Sequence, residues 1–205
     1  NNRLIREIAT DGMVTTYGYD ADGNRTDVTV AFGTPDAQHT RFSYDANHQL
    51  LTTTDAIGMG LVERNDAEYQ QRRVALGYAA DVNLLSSTQR AELMALYTSA
   101  SVYDNDGRLY RSIDALGRTT EYVYDNANRV IAIIDPIGIA LSESNAAQYQ
   151  GMRTGLNYPA STSELTAAQK EQLRALHTTR YTYDAAGRRT QVIDANGSTT
   201  TYYYS

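Results

Sequence analysis

An internal duplication constrains this chain more than any single motif. Residues 44–123 and 124–203 align without a gap over 80 positions, of which 32 are identical. A tandem unit of this length predicts a repeat architecture, in which each copy buries its core against its neighbours. We therefore divide the chain into partial repeats at residues 1–43 and two full copies, in one continuous array. Duplicated packing and a duplicated binding site would both give this pattern, and we favour packing.

Composition excludes several classes of function. The formal net charge of −6 and the pI of about 5.0 argue against a nucleic-acid-binding protein, which needs a basic face for phosphates. The chain has no cysteine, so disulfides and thiolate nucleophiles are excluded. No apolar run approaches the roughly 18 residues of a membrane span. Nearly all positive charge is on arginine, so with 17 tyrosines we expect arginines to stack on tyrosine rings.

Tyr-Asp pairs recur along the chain, and each is followed by a residue suited to a tight turn. The pairs are Tyr19-Asp20, Tyr44-Asp45, Tyr103-Asp104, Tyr124-Asp125 and Tyr183-Asp184. The turn residues, three positions after each aspartate, are Gly23, His48, Gly107, Asn128 and Gly187. Glycine and asparagine tolerate positive φ, so each pair predicts a β-hairpin turn, with His48 as the poorest fit.

Aromatic residues also stand two positions before most of these tyrosines. They are Tyr17, Phe42, Tyr122 and Tyr181, and the chain ends in the same spacing at Tyr202 and Tyr204. Residues two apart share one face of a strand, which predicts an aromatic ladder across neighbouring strands.

A second type of turn, with Asp first and Gly fourth, closes the strands that follow. It occurs at Asp55–Gly58, Asp114–Gly117, Asp135–Gly138 and Asp194–Gly197, and it fits a type I turn. Strands and turns alternating at about 20 to 25 residues predict an antiparallel β-meander.

These motifs carry a family resemblance. The segments YDADGNRTDVT from Tyr19, YDNDGRLYRSIDALGRTTEYVYD from Tyr103 and YDAAGRRTQVIDANGSTTTYYY from Tyr183 resemble YD repeats, also called Rhs repeats. Such repeats occur in bacterial polymorphic toxins, Tc-toxin cocoon subunits and teneurins, and the resemblance covers residues 1–58, 103–138 and 180–204. It implies a mainly β chain whose sheet spirals into a hollow shell, commonly around a toxin on the same polypeptide, in a secreted or bacterial cell-surface protein.

Two segments, 59–100 and 139–179, depart from the repeat pattern and predict a helical hairpin in each copy. Asn65 with Glu68, and Asn145 with Gln148, have the spacing of a capping box at a helix start. Gly77 and Asn157 are suited to end these first helices.

The second helix of each hairpin is predicted to start at Ser86 with Gln89, and at Thr166 with Gln169. Its apolar stripe is expected to dock on the sheet, because a short helix needs tertiary packing. The stripe residues are Leu93, Leu96 and Tyr97 in one copy, and Leu173, Leu176 and His177 in the other.

Few residues suggest chemistry. Asp20-Ala-Asp22-Gly23 and Asp104-Asn-Asp106-Gly107 resemble fragments of calcium loops, yet both lack the distal glutamate and fit hairpin turns as well. His39, His48 and His177 are isolated, and no hydrolase, nucleotide or dinucleotide motif is present. We expect no catalytic residue, no metal and no cofactor.

The leading hypothesis is therefore a non-enzymatic structural segment, part of a β-shell that encapsulates a toxin or of an extracellular filament. Its partners would be neighbouring repeats of the same or an identical chain, and an encapsulated toxin domain. The alternative is an adhesion module that binds carbohydrate or a cell surface through its Tyr and Arg ladders. Exposure of Tyr17, Tyr122 and Tyr181 distinguishes the two, since sugars stack only on accessible rings.

Overall fold

The computed structural model describes residues 2–205, and the chain is mainly antiparallel β, as predicted. The strands are β1 (Arg6–Ile8), β2 (Val14–Tyr19), β3 (Arg25–Val30), β4 (Gln38–Tyr44), β5 (Leu50–Thr54), β6 (Thr98–Tyr103), β7 (Leu109–Ile113), β8 (Thr119–Tyr124), β9 (Val130–Ile134), β10 (Thr178–Tyr183), β11 (Arg189–Ile193) and β12 (Thr199–Thr201). The helices are α1 (Ala56–Glu63), α2 (Ala67–Ala75), α3 (Ser87–Ala95), α4 (Pro136–Glu143), α5 (Ala147–Gly155) and α6 (Ala167–Ala175), with a short 3-10 helix at Val82–Leu84.

The chain forms two compact units, each with one helical insertion. The first comprises residues up to Ser101 together with Asp114–Gly117, and the second comprises Val102–Ile113 and Arg118–Ser205. In the first unit, β1 to β6 pair in chain order, each antiparallel to the next. In the second unit, β7 to β12 follow the same rule. The predicted meander is therefore confirmed within each unit.

The Tyr-Asp turns have the predicted backbone conformation. The residues three positions after each aspartate have positive φ, at 99° for Gly23, 64° for His48, 77° for Gly107, 60° for Asn128 and 79° for Gly187. His48 adopts it despite its side chain, and its ring Nδ1 lies 2.9 Å from Oδ1 of Asn24. The Asp-x-x-Gly turns at Asp114–Gly117 and Asp194–Gly197 also form, each closed by a hydrogen bond from the glycine N–H to the aspartate carbonyl.

The predicted turns at Asp55–Gly58 and Asp135–Gly138 are wrong, because these residues begin α1 and α4. The Asp55 side chain caps α1 by accepting from the N–H groups of Ile57 and Gly58, and Asp135 caps α4 in the same way. A type I turn and a first helical turn start alike, so the following residues decide between them. Apolar residues follow here and become buried, which favours a helix.

Gly58 lets α1 approach the sheet rather than turn the chain. A Cβ atom at this position would lie 2.8 Å from Cβ of Tyr97 and 2.9 Å from Cγ2 of Thr54. Gly138 is equally confined in the second unit, where a Cβ would lie 2.7 Å from Cβ of His177.

Each insertion thus contains three α-helices rather than a hairpin, and the first helix begins before the predicted bounds of 59 and 139. The cap of α2 is Asp66 and not Asn65, while α5 begins after Ala146 without a side-chain cap. The capping boxes of Ser86 with Gln89 and of Thr166 with Gln169 are confirmed. Gly77 and Asn157 follow α2 and α5 with positive φ, as predicted.

The fully buried apolar residues lie mainly within these insertions. In the first unit they form a cluster of Leu61, Val62, Tyr69, Val82, Leu85 and Leu93. In the second unit the cluster is Leu141, Leu165 and Leu173. The predicted stripe is only partly correct, because Leu93 and Leu173 are buried in these clusters whereas Leu96 and Leu176 are 45% and 47% exposed. The reason is that α1 and α4, which the stripe prediction omitted, contact β4 and β8 and pack against α3 and α6.

Candidate functional site

The aspartate of each Tyr-Asp pair organises its own hairpin turn. Oδ1 of Asp104 accepts from the backbone N–H groups of Asp106 at 3.0 Å and Arg108 at 2.9 Å, and Oδ2 accepts from Nε of Arg108 at 2.8 Å. Asp125 and Asp184 make the same three contacts in their hairpins, one to the residue two positions later and two to the arginine four positions later. Asp20 accepts from Gly23 and Asn24, and Asp45 accepts from Asn47 and Gln49. The aspartate side chain therefore closes the turn, and in three of the five hairpins it also holds the arginine that follows the turn.

These hydrogen bonds favour the ionised carboxylates. The backbone N–H of Arg108 and then its guanidinium hold the pKa of Asp104 below its usual value. The pKa values of Asp125 and Asp184 are lowered for the same reason by Arg129 and Arg188. The salt bridge also raises the pKa of Arg108.

The tyrosines of four Tyr-Asp pairs, and Tyr204, reach back to the preceding segment of the sheet. Tyr124 donates its hydroxyl to the carbonyl of Leu109 at 2.9 Å, and Tyr183 donates to Val130 at 2.7 Å. The same bond joins Tyr19 to Leu4, Tyr44 to Arg25 and Tyr204 to Arg189. For Tyr44, Tyr124, Tyr183 and Tyr204, the acceptor directly follows the residue that the aspartate of the preceding hairpin holds, so the tyrosine clamps the end of that turn.

Arginines complete the connection by covering the tyrosine rings. The guanidinium carbon lies 5.1 Å from the ring centroid for Arg108 and Tyr124, and 4.8 Å for Arg129 and Tyr183. It lies 4.7 Å away for Arg188 and Tyr204. One arginine thus joins the aspartate of its own turn to the tyrosine of the next Tyr-Asp hairpin. We call this three-residue arrangement the Tyr-Asp-Arg interlock; it confirms the expectation that arginines stack on tyrosines.

The bulge in each hairpin positions the tyrosine. The strand register shifts between Val123 and Tyr124, and between Thr182 and Tyr183, so two residues of the partner strand face one tyrosine. Tyr19 and Tyr44 have the same shift. Tyr103 and Gly107 lie in the corresponding hairpin and also have interaction partners. Tyr19, Tyr44, Tyr124 and Tyr183 therefore share one structural role.

The predicted aromatic ladder does not continue into the following strands, where Tyr17, Phe42, Tyr122 and Tyr181 face Val28, Thr53, Ile133 and Val192. Phe42 and Tyr122 lie on the face of the sheet opposite α1 and α4. In the first unit, His39 and Arg41 of β4 contact Glu63 of α1, so the alternate residue Phe42 points away from that helix. In the second unit, Glu121 of β8 contacts Arg174 of α6, and Tyr122 points away. Tyr17, Tyr122 and Tyr181 are half-buried rather than exposed, and guanidinium groups cover Tyr17 and Tyr181.

A buried arginine anchors each insertion, which sequence reasoning did not predict. The side chain of Arg73 is fully buried and donates to the carbonyls of Leu61 at 3.0 Å, Arg64 at 2.8 Å and Ala80 at 2.6 and 2.9 Å. Its Nη2 also lies 3.1 Å from Oδ1 of Asn65. Burial lowers the pKa of Arg73, but a guanidinium stays protonated.

The same arrangement occurs in the second copy. Arg153 is fully buried and donates to the carbonyls of Leu141, Ser144 and Ala160. Arg73 and Arg153 are identical positions of the duplication, and that identity was the only sequence signal for this role. Each arginine binds the C-terminal end of the insertion's first helix, where carbonyls lack helical partners.

Charged clusters join α1 and α4 to the strands. In the first unit, His39 bridges Asp27 and Glu63 with distances of 2.8 Å from each ring nitrogen. In the second unit, Arg111 binds Glu121 at 2.7 Å and Glu143 at 2.6 Å. Burial lowers the pKa of Arg111, but these two carboxylates outweigh burial, so its pKa is raised.

A cavity of about 490 Å³ lies between the β3–β4 loop and α1 in the first unit, lined by residues that include Phe32, Pro35, His39 and Glu63. In the part of the chain that the structure describes, every buried side-chain N or O atom has a hydrogen-bond partner. Across residues 2–205, no cluster of three or more His, Asp or Glu side chains is arranged to hold a metal ion. None of the helices in that range is long and apolar enough to cross a membrane.

A comparison with protein-family models agrees with the repeat pattern. The family model described as RHS Repeat matches residues 1–35, 103–138, 175–199 and 183–204. No curated protein matches the chain. Similar solved structures include the TcdB2-TccC3 complex, at 14% identity and a TM-score of 0.41, and the Photorhabdus luminescens Tc holotoxin pore, at 15% identity and a TM-score of 0.41. Each similarity covers 98% of this chain and 9% of the other chain.

Proposed function

Because this chain carries RHS repeats, we propose that it is a non-enzymatic structural segment of a larger RHS-repeat protein, whose sheet forms the wall of a shell. The observation that supports this function most strongly is the Tyr-Asp-Arg interlock. It uses the aspartate, arginine and tyrosine side chains of the signature to join hairpins, so these groups serve assembly of the sheet.

The shell is proposed to enclose a toxin domain carried on the same polypeptide, in a secreted or bacterial cell-surface protein. An enclosing wall needs strands that continue from repeat to repeat without a break in bonding. The interlock supplies this continuity, because its tyrosine bonds across 15 residues between Tyr124 and Leu109 and across 53 residues between Tyr183 and Val130. The second bond spans a helical insertion, so an insertion does not interrupt the wall.

Glycan binding by the ladder is the less favoured function. Sugars stack on open ring faces, yet the three diagnostic tyrosines are half-buried and two of them are covered by guanidinium groups. The tyrosine hydroxyls of the interlock are also occupied by backbone carbonyls.

Limited proteolysis of the full-length parent protein tests the proposal. If the repeats form a closed wall, a protease added to the native protein should leave the enclosed domain intact, and digest it only after the wall is opened with denaturant. A matched chain with the repeats deleted serves as the control. Equal digestion of that domain with and without the repeats would contradict encapsulation.

A further inference from the structure

Three hairpins, β3–β4, β7–β8 and β11–β12, have two residues facing each other at an equivalent position, and the side chains of that pair differ in each hairpin. The strand register places three pairs directly opposite each other: Asp27 and Arg41, Arg111 and Glu121, and Gln191 and Thr201. Arg41, Glu121 and Thr201 are spaced by 80 residues, so they are the same position of the repeat. The first pair is acid opposite base, the second is base opposite acid, and the third is uncharged.

The two charged pairs form close contacts. Nε of Arg41 lies 3.2 Å from Oδ1 of Asp27, and Nε of Arg111 lies 2.8 Å from Oε2 of Glu121. The Glu121 side chain is only 5% exposed. A charge at this depth is strongly disfavoured without its partner, and a like charge opposite it is worse.

The helices add to each pair a carboxylate from the same repeat position. Glu63 of α1 approaches Arg41 at 3.6 Å and His39 at 2.8 Å. Glu143 of α4 contacts Arg111 and Arg174. Each inverted charge pair therefore also contacts the first helix of an insertion and helps to hold that helix on the sheet.

We infer that this inversion of charge determines which strands pair while the duplicated chain folds. Tandem copies of similar sequence tend to misassemble, because a strand of one copy fits the partner of the other. Pairing β4 with β7 would place Arg41 opposite Arg111, and pairing β3 with β8 would place Asp27 opposite Glu121. The native pairs avoid both of these like-charge contacts. The charges therefore destabilise exchanged strand pairs, which the turns and aromatic residues common to the copies would otherwise permit.

The test converts the first cluster into the second without removing its salt bridge. The variant D27R/H39T/R41E/M94R gives β3, β4 and α3 the residues that stand at Arg111, Thr119, Glu121 and Arg174, and Glu63 can then pair as Glu143 does. The full 205-residue chain is unfolded in urea and refolded over a range of protein concentrations, and native monomer is measured by size-exclusion chromatography. We expect a loss of native monomer that grows with concentration, with exchanged dimers or aggregates in its place.

Two further variants keep this test decisive. D27E/R41K retains acid opposite base and should refold as the wild type does, so an equal loss in this control would overturn the inference. The reciprocal variant R111D/T119H/E121R/R174M gives the second unit the cluster of the first, and should show the same concentration-dependent loss even if the first variant fails to fold. Wild-type refolding of the converted variants would also overturn the inference.

Discussion

Replacement of Arg73 by methionine should destabilise the first unit strongly. Arg73 donates five hydrogen bonds to four acceptors, and its side chain is fully buried. Each bond to a charged group contributes about 1.5–3 kcal/mol, but the lost hydration of the buried guanidinium offsets much of that sum. Methionine fills similar space and leaves the acceptors without donors, so the net loss in unfolding free energy should be about 3–5 kcal/mol.

Urea unfolding followed by circular dichroism measures this loss, with the neighbouring residue as the control. Arg72 is exposed, pairs with Glu68 on the helix surface and lies 5.9 Å from the Tyr69 ring centroid, so R72M should cost about 0.5–1 kcal/mol. R73K should fall between the two, because an ammonium retains the charge but cannot reach all four acceptors. An R73M variant within about 1 kcal/mol of R72M would refute the reasoning.

Three other outcomes follow from the contacts of single residues. Gly58→Ala should lower the free energy of unfolding in urea by about 1–3 kcal/mol, because the added methyl group overpacks the contact between α1 and its neighbours. Gly151→Ala is the control at an unobstructed helix position and should raise it by about 0.5–1 kcal/mol. A gain in stability at both sites would contradict the close approach at Gly58. Tyr124→Phe keeps the ring but loses its hydroxyl bond, and should lower unfolding free energy by about 0.5–1.5 kcal/mol, whereas no change would exclude that bond as a contributor. The pKa of Asp104 is lower in the folded state than in the unfolded state, so ionised Asp104 stabilises the fold above the unfolded pKa of about 3.9, and this stabilisation is lost as pH falls through the folded pKa. The urea midpoint of the wild type should therefore exceed that of D104N at neutral pH, and the difference should shrink below about pH 4. A difference that stays constant from pH 6 to pH 2 would contradict this prediction.

Local features of the fold were predictable because neighbouring residues determine them. A glycine or asparagine with positive φ follows most Tyr-Asp pairs, and a hydroxyl with a glutamine three residues later caps α3 and α6. Asp55 misled the prediction because one aspartate can begin either a turn or a helix. The choice depends on burial of the residues that follow, which is a tertiary effect.

The features that sequence reasoning missed all depend on long-range contacts. Arginine is rarely fully buried, so nothing in the local pattern around Arg73 predicted its position. The inverted pair of Asp27 and Arg41 became visible only once the strand register was known. Only one part of the interlock was predicted. Stacking of arginine on tyrosine was expected, whereas the hydrogen bond from the Tyr124 hydroxyl to the preceding hairpin was not.

Cryo-electron microscopy of the full-length parent protein tests the central claim most directly. The account predicts a hollow particle whose wall is a continuous antiparallel sheet, with Tyr-Asp-Arg interlocks between successive hairpins and density for another domain inside. An open fibre or separate units without a lumen, with tyrosine faces exposed to solvent, would contradict it and favour adhesion.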